Sequence, residues 1–249
     1  MRLKLKYAAI PALIALVLLL RALPELTGKP LFRSPVYNAA EAYLAEHYAD
    51  LDLAIGDIVW SDHGGDYHVN VYSPSSRDTA FTLVVGSRSK AVEKDTYAED
   101  VLSGKSTADR LYWEYRALAD SILERTDFPF THNSSYALLM LDEETSAGLT
   151  LDSAYDVREF GAKAGFLELH VQTEDLSAKC AAQLLLELKD YLDAQDFPFC
   201  SLDLTLWTRP LDPNSGTLGE TEELHVSGFL YDDIYAEGLE ARVQAHIKP

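Results

Sequence analysis

The sequence predicts an α+β protein in two parts behind a single N-terminal transmembrane helix. Three observations carry this reading. One long apolar run stands near the start; a stretch of period-two alternation lies between helical patterns; and strand and helix patterns alternate through the second half. The expected layout is a signal anchor over 1–26, a linker over 27–35, an N-terminal α+β domain over 36–126 and a C-terminal α+β domain over 127–249. The first domain is a helix, a three-stranded antiparallel meander and a further helix. The second is a mixed or antiparallel sheet covered by helices.

The anchor comes first. Arg2, Lys4 and Lys6 precede an apolar run from Tyr7 to Leu20, which Ala22 and Leu23 extend past Arg21. A basic start before such a run is the signature of export. No small-x-small cleavage site follows, so an uncleaved anchor is favoured over a cleaved signal peptide. The short, charged tail stays inside, which places the body outside the cytoplasm, on a single-pass membrane protein.

Gly28, Pro30 and Pro35 mark the linker. Tyr37, Ala40, Tyr43, Leu44 and Tyr48 share one helical face. Leu51, Leu53 and Ile55 alternate, and the phase slips to Ile58 and Trp60; a bulge at Gly56-Asp57 explains the slip. Gly64-Gly65 is a hairpin loop. Tyr67, Val69 and Val71, then Phe81, Leu83 and Val85, give the next two strands. A helix over Thr107–Glu124 carries a core stripe of Leu111, Tyr115, Leu118 and Ile122.

In the second half, Ser135–Leu141 reads as a strand, and a helix follows Ser153 through Ala164. Leu167, Leu169 and Val171 form a strand. The longest helix, Leu176–Leu192, aligns Cys180, Leu184, Leu188 and Leu192. Leu202, Leu204 and Leu206 form a strand, Leu211–Glu223 a polar loop, and Leu224, Val226 and Leu230 another strand; a final helix opens at Asp232 or Asp233. Asp-Phe-Pro-Phe occurs twice, at Asp127–Phe130 and Asp196–Phe199, each time between a helix and a strand, where its phenylalanines plug the core. The only cysteines, Cys180 and Cys200, sit at opposite ends of the long helix, roughly 20 Å apart. That is too far for a disulfide, so both are expected as free thiols in the core.

The net charge of −19 excludes whole classes of partner. A field of that sign repels nucleic acid and anionic headgroups. No nucleotide site is expected: Gly104-Lys105-Ser106 ends like a phosphate-binding loop, but the leading glycine it needs is replaced by Glu99. Ser87-x-x-Lys90 reads as a turn. Asp62-His63-Gly-Gly-Asp66-Tyr-His68 and Asp212–Gly216 gather metal-capable groups in loops, and both read as polar turns; neither a metal nor another cofactor is expected.

The helix with Tyr43 and Tyr48, the Gly56-Asp57 meander and the series Tyr97, Val101, Thr107, Arg110-Leu111, Glu114-Tyr115 resemble the YfjL-like membrane-anchored proteins of Gram-positive bacteria. Gly165–Leu206, with its strand, long helix, Asp-Phe-Pro-Phe turn and strand, resembles their C-terminal domain. The resemblance implies an anchored two-domain body and no catalytic residues. The helix-plus-meander layout also resembles PepSY modules, which bind or restrain other proteins.

The candidate site is dispersed. If the leucines of the second sheet face the helices, its opposite face shows Glu168, His170, Asp203, Thr205, His225 and Ser227. Glu168, His170, Asp203 and His225 are the candidate binding residues. With no nucleophile elbow, zinc motif or nucleotide loop, the favoured function is a protein-interaction or sensory module, held in the lipid bilayer and meeting an envelope protein. The alternative is an extracytoplasmic metal-assisted hydrolase built on His170, Asp203 and His225, which requires those side chains to converge in a hollow.

Overall fold

A computed structural model describes residues 35–62, 64–209 and 220–248. The expected anchor, His63 and the Asp212–Gly216 loop lie outside the described residues. Among the described residues no helix is long and apolar enough to cross a membrane. The chain divides into two compact units, the first ending at Ala98 and the second starting at Glu99.

The first unit holds α1 (Pro35–His47) and strands β1 (Ala54–Ser61), β2 (Asp66–Ser73), β3 (Ser76–Gly86) and β4 (Val92–Asp95). They form an antiparallel sheet in the order β1-β2-β3-β4. The expected bulge is there: the β1–β2 register shifts between Ile55 and Ile58. The three-stranded expectation is corrected to four. Val92-Glu-Lys-Asp95 has one apolar residue and no alternation to read; its pairing with β3 is carried by backbone hydrogen bonds. Val69, Val71, Phe81, Leu83 and Val85 are buried, as are Val36 and Ala40 of α1. Tyr43 and Tyr48 do more than pack. Their hydroxyls donate to Asp95 Oδ2 at 3.1 and 2.5 Å, and Tyr97 N–H donates to Asp95 Oδ1 at 2.7 Å. One carboxylate thus ties α1 and the chain after it to the end of β4. Ser87–Lys90 lies in the β3–β4 turn, where Lys90 N–H donates to the Gly86 carbonyl at 2.9 Å.

A π-helical turn (Ala98–Leu102) spans the boundary and precedes α2 (Lys105–Leu123) of the second unit. Then follow β5 (Tyr136–Leu139), α3 (Glu143–Ala147), α4 (Val157–Ala164), β6 (Gly165–Gln172), α5 (Ala178–Ala194), β7 (Ser201–Thr208), β8 (Glu222–Leu230), α6 (Leu239–His246) and β9 (Ile247–Lys248). The sheet is mixed, in the order β5-β6-β7-β8-β9: β6 and β7 are parallel, joined through α5, and every other pair is antiparallel. Leu167, Leu169, Val171, Leu202, Leu204 and Leu206 are buried in one core with residues of α2, α5 and α6.

That core moves the expected boundary at 126. Leu111, Tyr115, Ala119 and Ile122 of α2 belong to it, so α2 opens the second unit. An apolar stripe shows that a helix buries a face; it does not show which sheet receives it. The stripe on α5 is also displaced: Ala181, Leu185, Leu188 and Leu192 are buried, while Cys180 and Leu184 flank them. Steps of four residues drift around a helix of 3.6 residues per turn, so the straight line read from the sequence leaves the core at one end. Both cysteines are free, as expected, but half-buried and not in the core proper. The last helix begins at Leu239, after a single 3-10 turn at Tyr231–Asp233.

The second Asp-Phe-Pro-Phe turn is the centre of the packing. Phe197 and Phe199 are buried, and Tyr115 stacks on Phe197 with ring centroids 5.0 Å apart. The Tyr115 hydroxyl donates to the Pro198 carbonyl at 2.9 Å, and burial pushes its pKa well above the usual phenol value. Gly161 and Gly165 make room for the ring. A Cβ on Gly161 would lie 2.5 Å from Tyr115 Cε2 and 2.8 Å from the Pro198 oxygen, and one on Gly165 would strike the Tyr115 hydroxyl.

Candidate functional site

Alternation along β6 and β7 puts leucines on the helix side and polar residues on the other, as the sequence reading expected. Cross-strand register then sets the polar residues in rungs. Tyr136, Glu168 and Asp203 are opposed in one. His170, Thr205, His225 and Lys248 are opposed in the next. Gln172, Trp207 and Glu223 follow.

The four candidate residues do not meet at one point. Glu168 Oε1 lies 2.9 Å from His170 Nε2, and Tyr136 donates its hydroxyl to Glu168 Oε2. Thr205 Oγ1 lies 3.0 Å from His225 Nδ1, and His225 Nε2 lies 3.1 Å from Glu223 Oε2. Asp203 Oδ1 accepts the Gly228 N–H at 2.6 Å. The β7–β8 register shifts between Leu202 and Leu204, which leaves Asp203 facing that backbone amide. The result is two separate clusters, one on β5–β6 and one on β7–β8, with Asp203 engaged elsewhere.

Local pairing accounts for the separation: His170 is held by Glu168 of its own strand, and His225 by Glu223 of its own strand and Thr205 of the next. Among the described residues no three His, Cys, Asp or Glu are grouped to hold a metal ion. The convergence on which a hydrolase at His170, Asp203 and His225 depends is therefore not present. The side chains of Glu168 and His170 are 28% and 29% exposed, and those of Glu223 and His225 44% and 47%. Solvent reaches both pairs, while Thr205 between them is buried.

Partial burial works against the Glu168 charge, but the bonds from His170 and Tyr136 outweigh it and hold its carboxyl below the usual glutamate range. The same bond, with burial, pushes the Tyr136 phenol up. A carboxylate held low stabilises the fold above its unfolded pKa of about 4.3 and loses that contribution as pH falls through the lower folded value. Wild-type protein is expected to exceed Glu168→Gln in urea midpoint at pH 7, with the gap closing by about pH 3. A gap unchanged between the two pH values would show that the carboxylate is not engaged in solution.

Sequence reasoning missed Tyr136, Glu223 and Trp207. Tyr136 alternates with Ala137 and Leu139, so its side was legible once that strand was paired. Glu223 was assigned to a loop; β8 begins at Glu222.

Comparison with known proteins adds one finding. Nothing matches among curated proteins or solved structures. A family model, the YfjL-like C-terminal domain, matches residues 114–244. The match begins within α2, ends within α6 and takes in all four candidate residues. It covers more than half of the 249 residues and spans the long helix and the second Asp-Phe-Pro-Phe turn described above; this chain belongs to the YfjL-like family.

Proposed function

We propose that the chain is a membrane-anchored, extracytoplasmic interaction or sensory module that meets an envelope protein through the polar face of its second sheet. Tyr7–Leu23 is the anchor in this reading, supported by its basic flank and apolar length. The observation that carries the docking role is the arrangement of the face. Its polar groups are bonded to one another along and between strands, its two His–Glu pairs are part-exposed, and they do not converge in a hollow. A fixed lattice of donors and acceptors suits recognition of a polar surface, where complementarity sets specificity. Catalysis would need convergence. The helix-on-meander layout of the first unit, similar to PepSY modules, supports an interaction role by analogy of fold alone.

The test is photo-cross-linking in intact cells of the source organism. A photoreactive residue replacing Gln172, on the face, is expected to give a discrete adduct that Glu223→Lys weakens. One replacing Glu187, exposed on α5, is expected to give none. Equal adducts at both positions, or none at either, would remove the docking face. A body fully protected from external protease in intact protoplasts would remove the extracytoplasmic location.

A further inference from the structure

A hollow of about 780 Å³ opens in the second unit between the start of α2 and the segment from the end of β5 through α3. None of its lining residues belongs to the polar sheet face. Its volume is within the range of small-ligand sites, about 300–1,000 Å³. Tyr112, Leu139 and Leu141 provide an apolar floor, and Glu99, Asp109, Glu143, Glu144 and Lys105 surround it. Close packing walls one end. Gly104, at φ +79°, brings the turn before α2 against the Ser146 carbonyl, which any side chain at that position would strike.

The charge around the floor is one-sided. Lys105 is the lone base of the lining, and its ammonium is already held by Asp100 at 3.3 Å and Asp109 at 3.1 Å. Asp142 caps α3 by accepting the Thr145 N–H at 2.7 Å, so Glu143 and Glu144 are not needed for capping. Neither glutamate makes an ion pair with a base among the described residues. An anion on this floor would face four carboxylates. A neutral apolar body would leave Glu143 and Glu144 with no base beside them among the described residues. We infer that the hollow binds an organic cation, a protonated amine carried on an apolar body, with the body on Tyr112, Leu139 and Leu141 and the ammonium toward Glu143 and Glu144. The inference is independent of the docking role of the polar face.

The probe is phenethylammonium, with 3-phenylpropionate as an anion of similar shape, each titrated against the full chain by saturation-transfer NMR. Trp113, whose ring lies 5.1 Å from that of Tyr112, is a fluorescent reporter beside the floor. Phenethylammonium is expected to bind and 3-phenylpropionate not to. The double variant Glu143→Gln, Glu144→Gln is expected to weaken binding at least about fivefold at low salt, and less as salt rises. Ala147→Trp, which fills the hollow from an exposed position, is expected to abolish it. Acetyl-Leu-Lys-Leu-amide in the same titration distinguishes the sources: tighter binding than phenethylammonium assigns the amine to a peptide lysine, weaker binding to a free amine. Equal affinity for the anion, no binding of either cation, or unchanged affinity in the double variant would overturn the inference.

Discussion

Tyr115→Ala is expected to destabilise the second unit by about 4 kcal/mol, the usual cost of emptying a large buried aromatic site. The ring is fully buried, stacks on Phe197 and bonds the Pro198 carbonyl, so its loss opens a cavity and orphans an acceptor. Tyr115→Phe removes the hydroxyl alone and is expected to cost about 1 kcal/mol. Gly161→Ala tests the same packing from the other side. Its new methyl would lie 2.5 Å from the Tyr115 ring, an overpacking expected to cost about 3 kcal/mol. The two substitutions are coupled: in the Tyr115→Ala background the added methyl has space, and most of its cost should vanish. Urea unfolding followed by Trp113 and Trp207 fluorescence measures all four corners of the cycle. Additive costs would show that the tyrosine does not fill the space above Gly161.

Asp95→Ala is expected to cost the first unit about 3 kcal/mol. It removes the acceptor of two phenols and a backbone amide at once, and bonds to a charged group contribute about 1.5–3 kcal/mol each before partial exposure reduces them. Trp60 fluorescence reports on that unit, while Trp113 and Trp207 should be unmoved. The same contact gives an alkaline signature. Burial, then the Asp95 bond, pushes the Tyr48 phenol well above its usual value; burial and Asp95 also raise Tyr43. Groups whose folded pKa is raised contribute fully below the unfolded value, about 10, and lose that contribution as pH rises beyond it. The urea midpoint of the first unit should therefore fall between about pH 9 and pH 11, and fall less in Asp95→Ala. An identical alkaline decline in both proteins would assign it to other groups.

The sequence made the central strands legible because each is half-buried and alternates cleanly. Leu167, Leu169 and Val171 on β6 and Leu202, Leu204 and Leu206 on β7 announce both their strands and the opposite polar face. The bulge in β1 was legible for the same reason, since a slip of one residue changes the parity of every apolar position after it. Short elements with little core contact were not: β4, β9 and α3 have too few apolar residues for any period. The site residues were placed on the correct face, but their pairing was not legible. It depends on register across strands far apart in sequence, and on the β7–β8 irregularity that sends Asp203 to the backbone of Gly228.

The strand borders have a consequence for how any second chain could attach. An exposed strand with free amides is a template for strand addition and for aggregation. Here β4, β5 and β9 are four, four and two residues long, too short to template much. The longer border strand, β1, is interrupted by its bulge at Gly56-Asp57, which twists the backbone and places a carboxylate in the row. Among the described residues, no border strand is a long flat ribbon of unpaired backbone. For the described residues, recognition thus falls to side chains rather than to main-chain zippering, and the acidic body can be concentrated without these borders seeding cross-β stacking.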